Sequence, residues 1–143
     1  MDTTEKYIII SSKALRIQEL WKPSIGDFYA CKYDYAKTLK LPQIGVLCSD
    51  IDIQPQNYTW LPKQDQLQKI YIDNLPKNIR ESEYIRIEIL DDFQNWVFNK
   101  CPNWMLDFDS LEQLWLAFVM QENYNSYWNE LHNSWLKFAE LRI

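Results

Sequence analysis

The sequence predicts an α+β fold: a small N-terminal antiparallel sheet with a short helix, packed on a C-terminal bundle of about four helices. Three observations lead there. Apolar and polar residues alternate in "IGDFYACKYD" (25–34) and "QIGVLCSDIDI" (43–53), as half-buried strands require. From Trp60 onward apolar residues recur at spacings of three and four, the period of a helix with one inward side. No linker, repeat or low-complexity tract interrupts the 143 residues, so one domain over 1–143 is expected.

In chain order, "YIII" (7–10) suits a short buried strand, because branched side chains fit a pleated sheet. Ser11 or Ser12 then caps a short helix that gathers Ala14, Ile17, Leu20 and Trp21 on one side and stops before Pro23. Phe28 and Ala30 alternate with Tyr29 and Cys31 in the first sheet strand. Ile44, Val46 and Cys48 lie opposite Leu47 in the second, and "YAKTLKLP" is short enough for the two to pair as an antiparallel hairpin. In "TWLPKQDQLQKIYID", Pro62 suits the first turn of a helix whose Leu67, Ile70 and Tyr71 face inward. "NLPKN" breaks it. "YIRIEIL" (84–90) alternates like a strand, but Ile89, Phe93, Trp96 and Val97 recur at helical spacing, and the longer pattern predicts a helix over about 81–99.

Asp109 and Glu112 make a D-x-x-E start for a helix over about 110–123. Leu111, Leu114, Trp115, Phe118 and Val119 cover one side, and Leu116 and Met120 extend the apolar surface around it. Such a segment belongs in the centre of a bundle. A last helix over about 127–140 is expected from Trp128, Leu131, Trp135 and Phe138 at i, i+3, i+7 and i+10.

Seven Trp, nine Tyr and six Phe against two Gly point to a core built from rings with few positions of positive φ. The net charge of −5 disfavours direct contact with nucleic acid, which needs Lys and Arg against phosphates, and favours a basic partner surface. The run "YIII" is far too short for a signal-peptide core or a membrane span. With Cys31, Cys48 and Cys101 odd in number and without CxxC spacing, free thiols in a reducing cytoplasm are expected.

Little in the chain points to catalysis. His132 is the sole histidine, expected on the flank of the last helix; Gly26 and Gly45 stand apart, so no glycine-rich phosphate loop forms. No catalytic, cofactor-binding or metal-ligating set is assigned. Carboxylates do occur in pairs, at Glu81/Glu83, Asp91/Asp92, Asp107/Asp109 and Asp50/Asp52. On a strand Asp50 and Asp52 would share one side and could hold a divalent ion, but a solvated strand edge explains them better, since such a site needs further converging ligands. Trp104 and Met105 lie in "PNWMLDF" (102–108), where a connection cannot bury Trp104, Met105 and Leu106 on one side. Trp and Met are enriched in contact patches. Trp104, Met105, Asp50, Asp52, Asp91 and Asp92 are therefore the candidate partner-binding residues.

"LRIQELWKPSIGDFY" (15–29), "WLPKQDQLQ" (60–68) and "SLEQLWLAFVMQENYNSYWN" (110–129) share an order with a known group. They resemble small uncharacterised proteins of bacteriophages and prophages of low-GC bacteria, which carry a W-x-P-x-x-G-D-like segment, then W-L-P-x-Q-x-Q-L-Q, then S-x-E-Q-L-W-L-A-F-V-M. The resemblance covers about two thirds of the chain and supplies no catalytic residues. It implies a mobile-element setting in which small proteins act by binding host machinery. The expected function is a non-enzymatic binding protein in the cytoplasm of a bacterial host, with inhibition of a host defence nuclease such as a CRISPR effector as its task. Its partner would be a host protein or protein–nucleic-acid complex with a basic surface. Neither membrane nor direct nucleic-acid binding is expected, and the chain would be a monomer or small homo-oligomer. Two rivals remain: a metal-dependent enzyme using Asp50 and Asp52, which metal ions would stabilise against heat, and a virion or assembly accessory, which would form large closed oligomers.

Overall fold

The structure, a computed structural model, describes residues 1–31, 44–49, 54–100 and 108–138. It is a mixed α+β protein with small antiparallel sheets and several helices, and the chain divides into two compact units, Met1–Lys63 and Gln64–Ile143. The division falls where the apolar period changes.

In the first unit, helix α1 spans Glu5–Lys13. Thr4 caps it by accepting from the Tyr7 amide, and the buried Asp2 holds that cap through the Thr4 amide and hydroxyl at 2.9 and 2.7 Å. The expected strand at 7–10 is thus a helix. The cap and the burial of Tyr7, Ile10 and Ser11, at spacings of three and four, outweigh the strand preference of three isoleucines. Ser11 consequently lies inside α1 and caps nothing. Ala14 breaks the run, and a single turn, α2 (Leu15–Gln18), follows without a side-chain cap. Ala14, Ile17 and Trp21 are buried as expected, whereas Leu20 points to solvent.

Strand β1 (Phe28–Cys31) pairs antiparallel with β2 (Ile44–Val46) in the register Phe28↔Val46, Tyr29↔Gly45 and Ala30↔Ile44, so the expected strand pair forms. Beside it, Gly26 at φ 92° and Asp27 both face Leu47: the Gly26 amide donates to Leu47 O, and the Leu47 amide donates to Asp27 O. Two residues opposite one is a bulge, here of the kind whose first residue takes positive φ, a conformation glycine adopts without steric cost. The other side of β1 pairs with a third strand, β3 (Tyr58–Leu61), giving the order β2-β1-β3. β3 corrects the expectation of helix from Trp60. Thr59, Trp60 and Leu61 are all buried, a continuous run that a strand covered on both sides produces.

α1 packs on β3, and the Tyr7 hydroxyl donates to Pro62 O at 2.6 Å. Gln18 reaches β3 as a strand would: its Oε1 accepts from the Trp60 amide at 2.8 Å and its Nε2 donates to Trp60 O at 2.9 Å. One side chain thereby satisfies the backbone donor and acceptor that an edge strand leaves open.

In the second unit, α3 (Gln64–Asp73) buries Leu67 and Tyr71 and packs on α6 (Leu111–Tyr124). Between them come the short α4 (Lys77–Arg80) and α5 (Ile85–Asn95), which continues into a π-helical turn, Trp96–Lys100. The segment with strand-like alternation is therefore helical, as the longer period required. Phe118 is the hub of the aromatic core, with ring centroids at 4.7 Å from Tyr71, 5.5 Å from Phe93 and Trp96, and 5.4 Å from Trp115. Phe93 stacks on Trp115 at 4.2 Å, and the Trp96 indole N–H donates to Gln121 Oε1 at 2.9 Å.

α6 buries Gln113 and all of Trp115–Met120, so it is enclosed nearly all round. Its start is displaced by one residue from the expected D-x-x-E. Ser110 is the cap and accepts from the Gln113 amide, while Gln113 Oε1 accepts from the Asp109 amide. Leu111, in the first turn, is exposed rather than inward.

The last helix is not formed. Asn125 at φ 51° ends α6, and β4 (Ser126–Asn129) pairs with β5 (Ser134–Lys137), with Trp128 directly opposite Trp135. Asn133 turns the chain at φ 50°, and Asn129 Oδ1 accepts from the His132 amide. Spacing by seven in Trp128 and Trp135 suits two turns of helix, but it also suits a hairpin. Local asparagines able to adopt left-handed backbone decide for the hairpin. His132 and Leu131 then lie exposed at its tip, not on a helix.

Candidate functional site

Of the candidate residues, Asp50, Asp52, Trp104 and Met105 lie outside the described residues. Asp91 and Asp92 are adjacent on α5, and the helix sends them in different directions. Asp92 turns toward α3, where its Oδ2 accepts from the Tyr71 hydroxyl at 2.9 Å. Burial raises the Tyr71 pKa well above its ordinary 10.0, and the hydrogen bond and charge of Asp92, with the charge of Glu122, raise it further. The phenol is thus held protonated as a donor. Asp92 serves to join α3 to α5.

Asp91 faces solvent on the side of α5 that also carries Ile87 and Leu90. Residues three and four apart stack along one side of a helix, so the inward row is the buried Ile89 and Trp96 with the half-buried Phe93 between them, and the opposite row is Tyr84, Ile87, Leu90 and Asp91. That opposite row is apolar yet exposed. Tyr84 is 64% exposed, Ile87 67% and Leu90 51%, and Phe98 in the π-helical turn reaches 76%. The helix is therefore apolar on two sides, one of which packs on Trp115 and Phe118 through Phe93.

The outer row is the feature that reading the sequence for one inward side misses. Its signal was present as Tyr84, Ile87 and Leu90 at i, i+3 and i+6, a second apolar period out of phase with the first. Around it, residues 81–92 hold five carboxylates, Glu81, Glu83, Glu88, Asp91 and Asp92, against one guanidinium, Arg86. Glu88 is held by the Ser82 hydroxyl at 3.1 Å, and Glu81 lies 4.0 Å from Lys77.

Among the described residues, no group of three or more His, Cys, Asp or Glu side chains is arranged to hold a metal ion, and no helix is long and apolar enough to cross a membrane. Among the described residues, Cys48 is an exposed free thiol. Comparison with protein families, with curated proteins and with solved structures finds no match for this chain.

Proposed function

We propose that this chain is a non-enzymatic binding protein of phage or prophage origin, acting in the cytoplasm of a bacterial host as a monomer or small homo-oligomer. Its target class is a host protein or protein–nucleic-acid complex with a basic surface, such as a CRISPR effector or another defence nuclease, which it inhibits by occupying that surface. The observation that carries the reading is the outer row of α5, where Tyr84, Ile87 and Leu90 are more than half exposed beside the carboxylate of Asp91. An exposed apolar patch rimmed by polar groups is what contact surfaces have in common. The net charge of −5 adds long-range attraction to a basic partner. Trp104, Met105, Asp50 and Asp52 join the proposal from their sequence context.

The test is capture of partners from host lysate by the tagged full chain, followed by assay of any captured nuclease with and without added protein. Ile87→Ser/Leu90→Ser and Trp104→Ala/Met105→Ala serve as paired controls. The reading expects a partner that wild type retains and inhibits and that at least one double variant loses. It also expects association to slow as salt rises. An association rate indifferent to salt, or a captured set identical for wild type and both variants, would overturn it.

A further inference from the structure

We infer that the outer row of α5 docks a basic amphipathic helix, pairing its apolar stripe with Tyr84, Ile87 and Leu90 and its Lys or Arg edge with Asp91. This rests on the binding reading above and specifies the chemistry of the partner's contact segment. Three residues at i, i+3 and i+6 form a ridge that advances about 9 Å along the helix, and such a ridge fits the groove between side chains of a second helix. Phe98 continues the exposed apolar surface beyond Asn95.

Charge selects among occupants. Over residues 77–92, which include the Lys77 beside Glu81, five carboxylates against Lys77, Arg80 and Arg86 give a local charge of −2 (three minus five). A second copy of this chain would bring two such segments together, and like charges at close quarters oppose that contact. Nucleic acid and anionic lipid headgroups are repelled by the same field. A neutral apolar segment would cover the ridge but leave the carboxylates unpaired at its edge. A helix edged with Lys or Arg meets both features, because its stripe covers the ridge while its edges neutralise Asp91 and the exposed Glu83.

The probe is a synthetic amphipathic helix of leucine and lysine about five turns long, titrated calorimetrically into the full chain, with its leucine–glutamate counterpart as control. The expected result is binding of the lysine peptide only. Ile87→Ser/Leu90→Ser should weaken it roughly tenfold or more, Asp91→Asn/Glu83→Gln should lessen its salt dependence, and Leu131→Ser, an apolar loss at the exposed hairpin tip, should leave it unchanged. Circular dichroism of each variant establishes that the fold is retained. Equal loss from Leu131→Ser, equal binding of the glutamate peptide, or no effect of Ile87→Ser/Leu90→Ser would overturn the inference. So would sedimentation showing a dimer that Ile87→Ser/Leu90→Ser dissociates, since the occupant would then be a second copy. Failure here leaves the broader reading intact if lysate capture still depends on Trp104 and Met105, which separates the two.

Discussion

The indole N–H of Trp21 donates to Oδ2 of Asp27 at 3.0 Å, and the same oxygen accepts from the Ser24 amide at 2.9 Å. This closes the W-x-P-x-x-G-D segment into a locked turn that delivers Gly26 and Asp27 to the bulge opposite Leu47. Both Trp21 and Asp27 are buried, so the carboxyl group depends on these protein donors.

Trp21 and Trp60 lie nearly parallel, with ring centroids 6.3 Å apart, but the buried Trp60 indole N–H has no hydrogen-bond partner among the described residues. Trp21→Phe should therefore cost about 2 kcal/mol or more, because it removes a donor from a buried carboxyl group. Trp60→Phe should cost distinctly less, since loss of ring area is offset by removal of an unsatisfied donor. Urea unfolding of the two variants checks the order, and equal losses would refute it.

Gln18 predicts a local effect. Gln18→Ala strips the Trp60 amide and carbonyl of their partners and should destabilise the first unit by about 1–2 kcal/mol. Hydrogen exchange at the Trp60 amide should accelerate more than at amides of the β1–β2 ladder. Uniform acceleration would mean that Gln18 acts on global stability alone.

Tyr71 makes a prediction in pH. Below pH 10 the phenol is protonated in both folded and unfolded chains, and its contribution to stability is whole. Above about 10 the unfolded chain releases the proton while the folded one, whose pKa is raised, retains it, so stability falls as pH rises. Tyr71→Phe should cost about 1 kcal/mol at neutral pH. It should also flatten the decline in melting temperature between pH 10 and 11 relative to wild type. A parallel decline would exclude Tyr71 as its source.

The displaced cap of α6 separates two neighbouring residues. Ser110→Ala should cost about 1 kcal/mol, because the Gln113 amide loses its acceptor. Asp109→Ala should cost only a few tenths, since Asp109 engages Gln113 through its backbone amide. Thermal melts that reverse this order would restore Asp109 as the cap.

Much of the fold was legible where a period ran long enough to outweigh local preference. α5 and α6 follow from apolar residues recurring over about two turns, α3 from Leu67, Ile70 and Tyr71 at helical spacing, and β1 pairing with β2 follows from alternation and a short connection. Short segments misled. Three isoleucines at 8–10 favour a strand, yet a cap at Thr4, itself held by Asp2, turns them into a helix. At the C-terminal end, Trp128 and Trp135 fit two geometries equally, and the choice lay with Asn125 and Asn133, whose positive φ no apolar pattern reports. Of the candidate contact residues, Asp91 and Asp92 were indistinguishable in sequence. One packs toward Tyr71 and the other toward solvent, because successive residues on a helix diverge by about 100°.

The sequence by itself determined that α3, α5 and α6 are helices, that rings dominate the core, and that the chain carries a net negative charge. Those properties are sums over many residues and survive errors at any one. Tertiary structure alone decided that Trp60 is a strand residue clamped by Gln18, that the last tryptophans pair across a hairpin, and that Tyr84, Ile87 and Leu90 face outward. Each depends on a contact between residues far apart in the chain or on which of two apolar sides meets the core, and a linear pattern assigns an apolar residue to burial without stating against what.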